Sequence, residues 1–172
     1  MRKIILLGYM GCGKSTIANR LSKITAIPYV DLDKSIEQRT NLSINEIFEK
    51  HGEIYFRKLE REVLIDLLDT SGDLIIGLGG GTPCYANNHE LLKSENIVSV
   101  YLKASVETLF ERLVSNKSKR PIIANKTDDE LKEFIAKHLF DRSFYYNQAQ
   151  YKVSIDGKSK DETTQDILAI LA

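Results

Sequence analysis

Apolar runs of strand length at Lys3–Leu7, Tyr29–Val30, Asp73–Gly77, Ile97–Leu102 and Tyr151–Ile155 alternate with longer segments whose apolar residues recur every three or four positions. Runs and intervals of this kind predict a parallel sheet joined by crossover helices, an α/β chain. A helix starting near Lys14 places Ile17, Leu21 and Ile24 on one face, and the segment after Ser105 does the same with Val106, Leu109, Phe110 and Leu113. Both faces are expected to cover the sheet. Between Asn116 and Lys126 the periodicity stops, and Lys117, Lys119, Arg120 and Lys126 occur with no acidic residue among them. This stretch reads as a mobile basic flap. Thr127 with Glu130 then forms a capping box ahead of Leu131, Phe134, Ile135 and Leu139, so a helix resumes there.

The chain has 172 residues, enough for one domain and too few for two of comparable size. Twenty-four basic and 24 acidic side chains balance, so the strongly basic footprint of a nucleic-acid binder is missing. Cys12 and Cys84 form no disulfide framework, neither has a partner at metal-ligand spacing, and His51, His89 and His138 are scattered. The opening apolar run, Ile4 to Leu7, is too short for a signal-peptide core or a membrane span. A cytoplasmic protein is expected, and, with no long apolar surface stripe, a monomer.

Gly8-Tyr9-Met10-Gly11-Cys12-Gly13-Lys14-Ser15 matches the P-loop pattern at all its defined positions, after a buried strand and at the start of a helix, where the motif has to lie. Its glycines let backbone N–H groups turn towards phosphates, Lys14 reaches the β/γ-phosphates and Ser15 ligates Mg²⁺. Gly11, Cys12, Gly13, Lys14, Ser15 and Thr16 are the candidate ATP-binding residues. No catalytic role is assigned to Cys12.

A P-loop does not say where the phosphate goes. Asp69-Thr70-Ser71-Gly72 and Asn125-Lys126-Thr127-Asp128 match two GTPase motifs in the right order. However, Leu59, Val63, Leu64, Leu67 and Leu68 recur at helical spacing, so Asp69–Gly72 reads as a helix end and not as the end of a strand. Pro121–Ala124 is too short for the central strand the second motif needs. A small-molecule kinase needs an acceptor site instead. Asp31-Leu32-Asp33 closes the second strand, and residues two apart on an extended chain share a side. Both carboxylates are therefore expected to face the γ-phosphate, Asp31 towards the Mg²⁺ shell and Asp33 as acceptor of the attacking hydroxyl's proton. Asp33 also suits the N-cap of a helix beginning at Lys34, a role compatible with the first. Arg57 and Glu60 are i,i+3 neighbours, so Glu60 can orient the guanidinium. Gly79-Gly80-Gly81 follows another strand and lets backbone approach a ligand.

Taken together, the P-loop as Gly-x-Met-Gly-x-Gly-Lys-Ser, Asp31-x-Asp33, Phe56-Arg57-x-x-Glu60, Gly79-Gly80-Gly81, Arg120-Pro121 and Arg142 resemble the shikimate kinase family, in its order, from Gly8 to Arg142. The resemblance implies a P-loop fold of the nucleoside-monophosphate-kinase kind: three layers, with a five-stranded parallel sheet flanked by helices. One domain would span residues 1–172, with an acceptor-binding region at about 33–61 and a lid at about 116–126. It implies transfer of phosphate from MgATP to shikimate on the path to chorismate and the aromatic amino acids. Asp33, Lys14 and Arg120 would be the catalytic residues. Asp33, Arg57, Glu60, Gly79, Gly80, Gly81 and Arg142 would bind shikimate, Arg57 and Arg142 holding its carboxylate. Some members stack an arginine on adenine just before the lid; Arg112 is the candidate here, with an ordinary helix-surface arginine as the other reading. Another P-loop metabolite kinase of the gluconate type shares the loop without these acceptor motifs.

Overall fold

A computed structural model describes residues 2–172. The chain runs β1 (Lys3–Leu7), α1 (Lys14–Thr25), β2 (Tyr29–Asp31), α2 (Leu32–Thr40), α3 (Ile44–Asp69), β3 (Leu74–Gly77), α4 (Asn88–Leu91), β4 (Ile97–Lys103), α5 (Val106–Val114), α6 (Asp128–Tyr146), β5 (Tyr151–Ser154) and α7 (Lys160–Leu171). Short 3₁₀ turns occupy Thr82–Cys84 and Lys117–Lys119. The strands form one sheet in the order β2-β3-β1-β4-β5, every pair parallel. Central β1 is buried along its whole length, as a strand covered on both faces must be.

Local signals account for most boundaries. The capping box at Thr127 and Glu130 starts α6, and equivalent boxes at Ser43 with Glu46 and Ser159 with Glu162 start α3 and α7. The α3 segment is kinked at Gly52, where φ of 80° interrupts the helical path. It ends at Asp69, so Asp69–Gly72 is a helix end, and Asn125–Asp128 is a turn running into α6. Both placements exclude the GTPase reading.

One expected core residue lies outside. Ile24 is exposed, while Ile17, Ala18 and Leu21 carry the packing of α1. At roughly 100° per residue, Ile24 falls about 65° from the centre of that buried arc, at its edge. The flap also differs from a fringe of solvated charges. Ile123 is fully buried beneath it, and the Lys117 ammonium donates to the Lys126 carbonyl and the Asp128 carboxylate, 3.0 and 3.2 Å away.

Candidate active site

The site forms where β1, β2 and β3 end. Leaving β1, the backbone turns through left-handed conformations at Gly11 and Gly13, with φ of 83° and 98°, and Gly13 is the N-cap of α1. A glycine cap supplies no side chain to the first helical N–H groups, and the first turn of α1 holds no acidic residue. That end of the helix is therefore suited to an anion. The Lys14 ammonium folds back on the loop, donating to the carbonyls of Gly8 and Tyr9 at 2.7 and 3.1 Å. Cys12 turns its side chain into the core, and its N–H donates to the Tyr9 carbonyl at 3.2 Å. Its part in the loop is thus structural.

A cleft of about 370 Å³ is walled by the loop and the start of α1 through Gly11, Gly13, Lys14, Ser15 and Thr16, by Asp31 and Asp33, by Gly79 and Gly80, and by Arg120 from the flap. The two carboxylates meet there for a reason other than strand alternation. Asp31 is the last residue of β2 and the N-cap of α2, its Oδ1 accepting the Lys34 N–H at 3.1 Å, whereas Leu32 and Asp33 are already helical. The capping residue is accordingly Asp31 and not Asp33. The other oxygen of Asp31 accepts the Tyr29 hydroxyl at 3.2 Å. With the cap supplied elsewhere, Asp33 is half-buried beside other acids. Its pKa rises from 3.8 to about 6, first because burial disfavours the charge, then through Asp31 and Glu60, with Lys14 opposing.

The three consecutive glycines face three different side chains. A Cβ on Gly79 would sit 3.0 Å from an Asp33 carboxylate oxygen, one on Gly80 3.2 Å from Arg142 Nη1, and one on Gly81 3.1 Å from Arg57 Nη2. Each glycine thus lets one charged group approach closer than a side chain would comfortably allow, and the loop gathers a carboxylate and two guanidinium groups along a single edge. Arg57 and Arg142 are not among the residues that line the 370 Å³ cleft; their guanidinium groups lie against Gly81 and Gly80. Arg57 Nη1 donates to Glu60 at 3.0 Å, and Glu60 is 1% exposed, so this is a buried pair rather than a surface one. The other Glu60 oxygen accepts the Thr82 hydroxyl at 2.7 Å. The Tyr146 hydroxyl donates to the Gly80 carbonyl at 2.6 Å, and Tyr146 interacts electrostatically with Arg142.

On the other side of the P-loop, a second cleft of about 680 Å³ is lined by Gly11, Gly13, Thr16, Arg112, Lys119, Arg120 and Lys160 among others. Arg112 Nη1 donates to the carbonyls of Gly11 and Cys12, at 3.4 and 3.2 Å. It braces the loop as well as bordering this cleft, which is more than an ordinary helix-surface arginine does. Arg120 borders both clefts and lies 3.9 Å from the sulfur of Met10.

The family model for shikimate kinase matches residues 10–172. The chain belongs to the shikimate kinase family. A shikimate kinase of Flavobacterium johnsoniae is 72% identical over the full length of both chains. The crystal structure of shikimate kinase from Bacteroides thetaiotaomicron superposes with a TM-score of 0.90 at 35% identity, covering 99% of this chain and 98% of that one. The Acinetobacter baumannii enzyme in complex with shikimate superposes at 0.85 and 31% identity, over 99% and 93%. A gluconokinase from Sinorhizobium meliloti shares the fold alone, at 14% identity and a TM-score of 0.62.

Several side chains that shape the site belong to none of the sequence motifs. Thr82 and Tyr146 hold Glu60 and the Gly80 carbonyl, and Tyr29 holds Asp31. Tyr146 stands four residues after Arg142, the spacing of helix neighbours, so that pair carries a readable signal. His138, one of the three scattered histidines, lies 3.1 Å through Nδ1 from the Tyr9 hydroxyl. Nothing in its local sequence indicates that partner, 129 residues away.

Proposed function

We propose that this chain transfers the γ-phosphate of ATP to the 3-hydroxyl of shikimate, giving ADP and 3-phosphoshikimate in the biosynthesis of chorismate and the aromatic amino acids. The observation that carries the reading is the glycine edge, with one half-buried carboxylate and two guanidinium groups packed against successive residues beside a P-loop. Shikimate offers a carboxylate to the guanidinium groups of Arg57 and Arg142, a pairing that planar forks make well. It offers hydroxyls to Asp33 and the loop backbone. The acceptor region thus runs over residues 33–61 together with the glycine loop.

In the transfer, the 3-hydroxyl oxygen forms a bond to the γ-phosphorus as the bond to the β,γ-bridging oxygen breaks and ADP leaves. The hydroxyl proton passes to Asp33. With a pKa of about 6, Asp33 is ionised at neutral pH yet more basic than an ordinary carboxylate, which suits a general base. Lys14 exchanges the Gly8 and Tyr9 carbonyls for the phosphates, and Arg120 neutralises the transferring group as the lid at 116–126 closes and excludes water.

The Ser15 hydroxyl and the Asp31 carboxylate, hard oxygens that both line the cleft, would hold Mg²⁺. Each Asp31 oxygen accepts one hydrogen bond and keeps a further lone pair. This set fits an ion that is otherwise ligated by water and substrate phosphates. When bound, Mg²⁺ supplies charge neutralisation on the β- and γ-phosphates. The 680 Å³ cleft beyond the P-loop takes the adenosine part of ATP in this reading, and Arg112 borders it. The reading includes a monomeric chain in the cytoplasm. No helix among the described residues is long and apolar enough to cross a membrane.

A coupled ADP-release assay with MgATP, with and without shikimate and repeated with MgGTP and with gluconate, tests the proposal. ADP release that requires shikimate and prefers ATP is expected. Release that follows gluconate, or that ignores shikimate altogether, would sink it.

A further inference from the structure

Past the glycine edge the backbone does something costly. After the 3₁₀ turn at Thr82–Cys84, Tyr85 is extended, and then Ala86 and Asn87 are both left-handed, with φ of 51° and 55°. Two consecutive non-glycine residues in that region are uncommon and persist only where the surroundings hold them. Here the surroundings do. Arg61 Nη1 donates to the Ala86 carbonyl at 2.7 Å and to Asn88 Oδ1 at 3.0 Å, and buried Asn88 donates to the Thr82 carbonyl at 3.0 Å. Thr82 in turn donates to Glu60, the partner of Arg57. Helix α3 thus grips this loop at both ends.

The turn brings Tyr85 over the Arg57 guanidinium, whose central carbon lies 3.8 Å from the ring centroid. Phe56 stands 5.1 Å away from the same carbon. Glu60 accepts from Nη1 at 3.0 Å, the Glu53 carboxylate pairs with Nε at 3.5 Å, and the edge between Nη1 and Nη2 faces Gly81. A guanidinium covered on its plane by an aromatic face and paired at Nε and Nη1 keeps Nη2, on the Gly81 side, for an anion. We infer that Tyr85 is a positioning residue for the acceptor's carboxylate, its ring fixing the plane of Arg57 so that Nη2 faces the glycine loop. The inference rests on the proposed function. Tyr85 itself is 39% exposed, more than a side chain kept only for core packing.

The test compares wild type, Tyr85→Ala and Tyr85→Phe in steady-state kinetics with shikimate and with its methyl ester, which keeps the three hydroxyls and lacks the carboxylate. Tyr85→Ala is expected to raise KM for shikimate about tenfold, with KM for MgATP unchanged and no effect against the ester. Tyr85→Phe restores the wild-type KM, since the ring face and not the hydroxyl acts. An unchanged KM for shikimate in Tyr85→Ala, a loss that Tyr85→Phe does not restore, or an equal loss against the ester overturns the inference. If Tyr85→Ala does not fold, Tyr85→Leu, with apolar bulk and no π face, takes its place under the same outcomes. A wild-type chain without shikimate-dependent ADP release removes the proposed function and this inference together, whereas an active wild type with an indifferent Tyr85 removes the inference alone.

Discussion

Replacing Asp33 by Asn should make the protein inactive and more stable. The carboxyl pKa of about 6, against 3.8 when unperturbed, means that the folded state holds the charged form at a cost. A carboxyl about two pH units more basic in the folded chain than in the unfolded one, at about 1.36 kcal/mol per pH unit, costs roughly 3 kcal/mol at pH 7. The causes are burial and the neighbouring Asp31 and Glu60 charges, only partly offset by Lys14. Asn keeps the shape beside Gly79 and removes the charge. Because the folded pKa is raised, the cost is fully present above pH 6, declines as pH falls from 6 to 4, and is absent below the unfolded value. Urea denaturation of the ligand-free wild type and Asp33→Asn at about pH 7, 5 and 3.5 reads this directly. The variant should be more stable by about 3 kcal/mol at pH 7, a rise in Tm of about 6–12 °C for a chain of this size, and the gap should close at the lowest pH. Its turnover should fall by a factor of about 10²–10⁴, the usual loss for a general base. A stability gap that is the same at every pH, or none at pH 7, would refute the electrostatic account. Wild-type turnover would remove Asp33 from the mechanism.

The same ionisation should appear in the kinetics of the wild type: kcat/KM for shikimate rises with pH through about 6 and levels off above it, and a profile already flat at pH 5 would contradict the assignment. Gly81→Ala places a methyl 3.1 Å from Arg57 Nη2 without backbone strain, φ being −90°. Shikimate KM should rise while stability changes by less than about 1 kcal/mol, as denaturation and initial-rate measurements will show. Glu60→Ala leaves the Arg57 charge and the Thr82 hydroxyl without their buried acceptor and should cost about 3 kcal/mol, with Glu60→Gln closer to wild type because it retains one acceptor; equal urea midpoints for the two variants would argue against the pair.

Strand–helix alternation, the P-loop and the capping boxes are legible along the chain because each is a local property. A strand covered on both faces must be apolar throughout, as Lys3–Leu7 nearly is, and the Thr127–Glu130 box needs only a three-residue spacing. The site residues are legible as types in motifs: Asp31 and Asp33 are expected in one cleft, and they are found there. The route to that cleft is different from the expected one, since the extended spacing ends at Asp31, where the chain turns into α2.

What the one-dimensional pattern by itself determined is therefore the five strands, most of the helices between them, their parallel pairing and the phosphate loop. Only the tertiary structure decided which charged groups are buried and against what. Asp33 is made basic by burial, by Asp31 and by Glu60, which comes from another helix 27 residues away; Arg57 is stacked by Tyr85 from beyond β3; and Gly80 is held by Tyr146 from α6. Desolvation and Coulomb interactions depend on distance in space, and interactions across 27 to 66 residues of sequence leave no period or spacing from which they can be read.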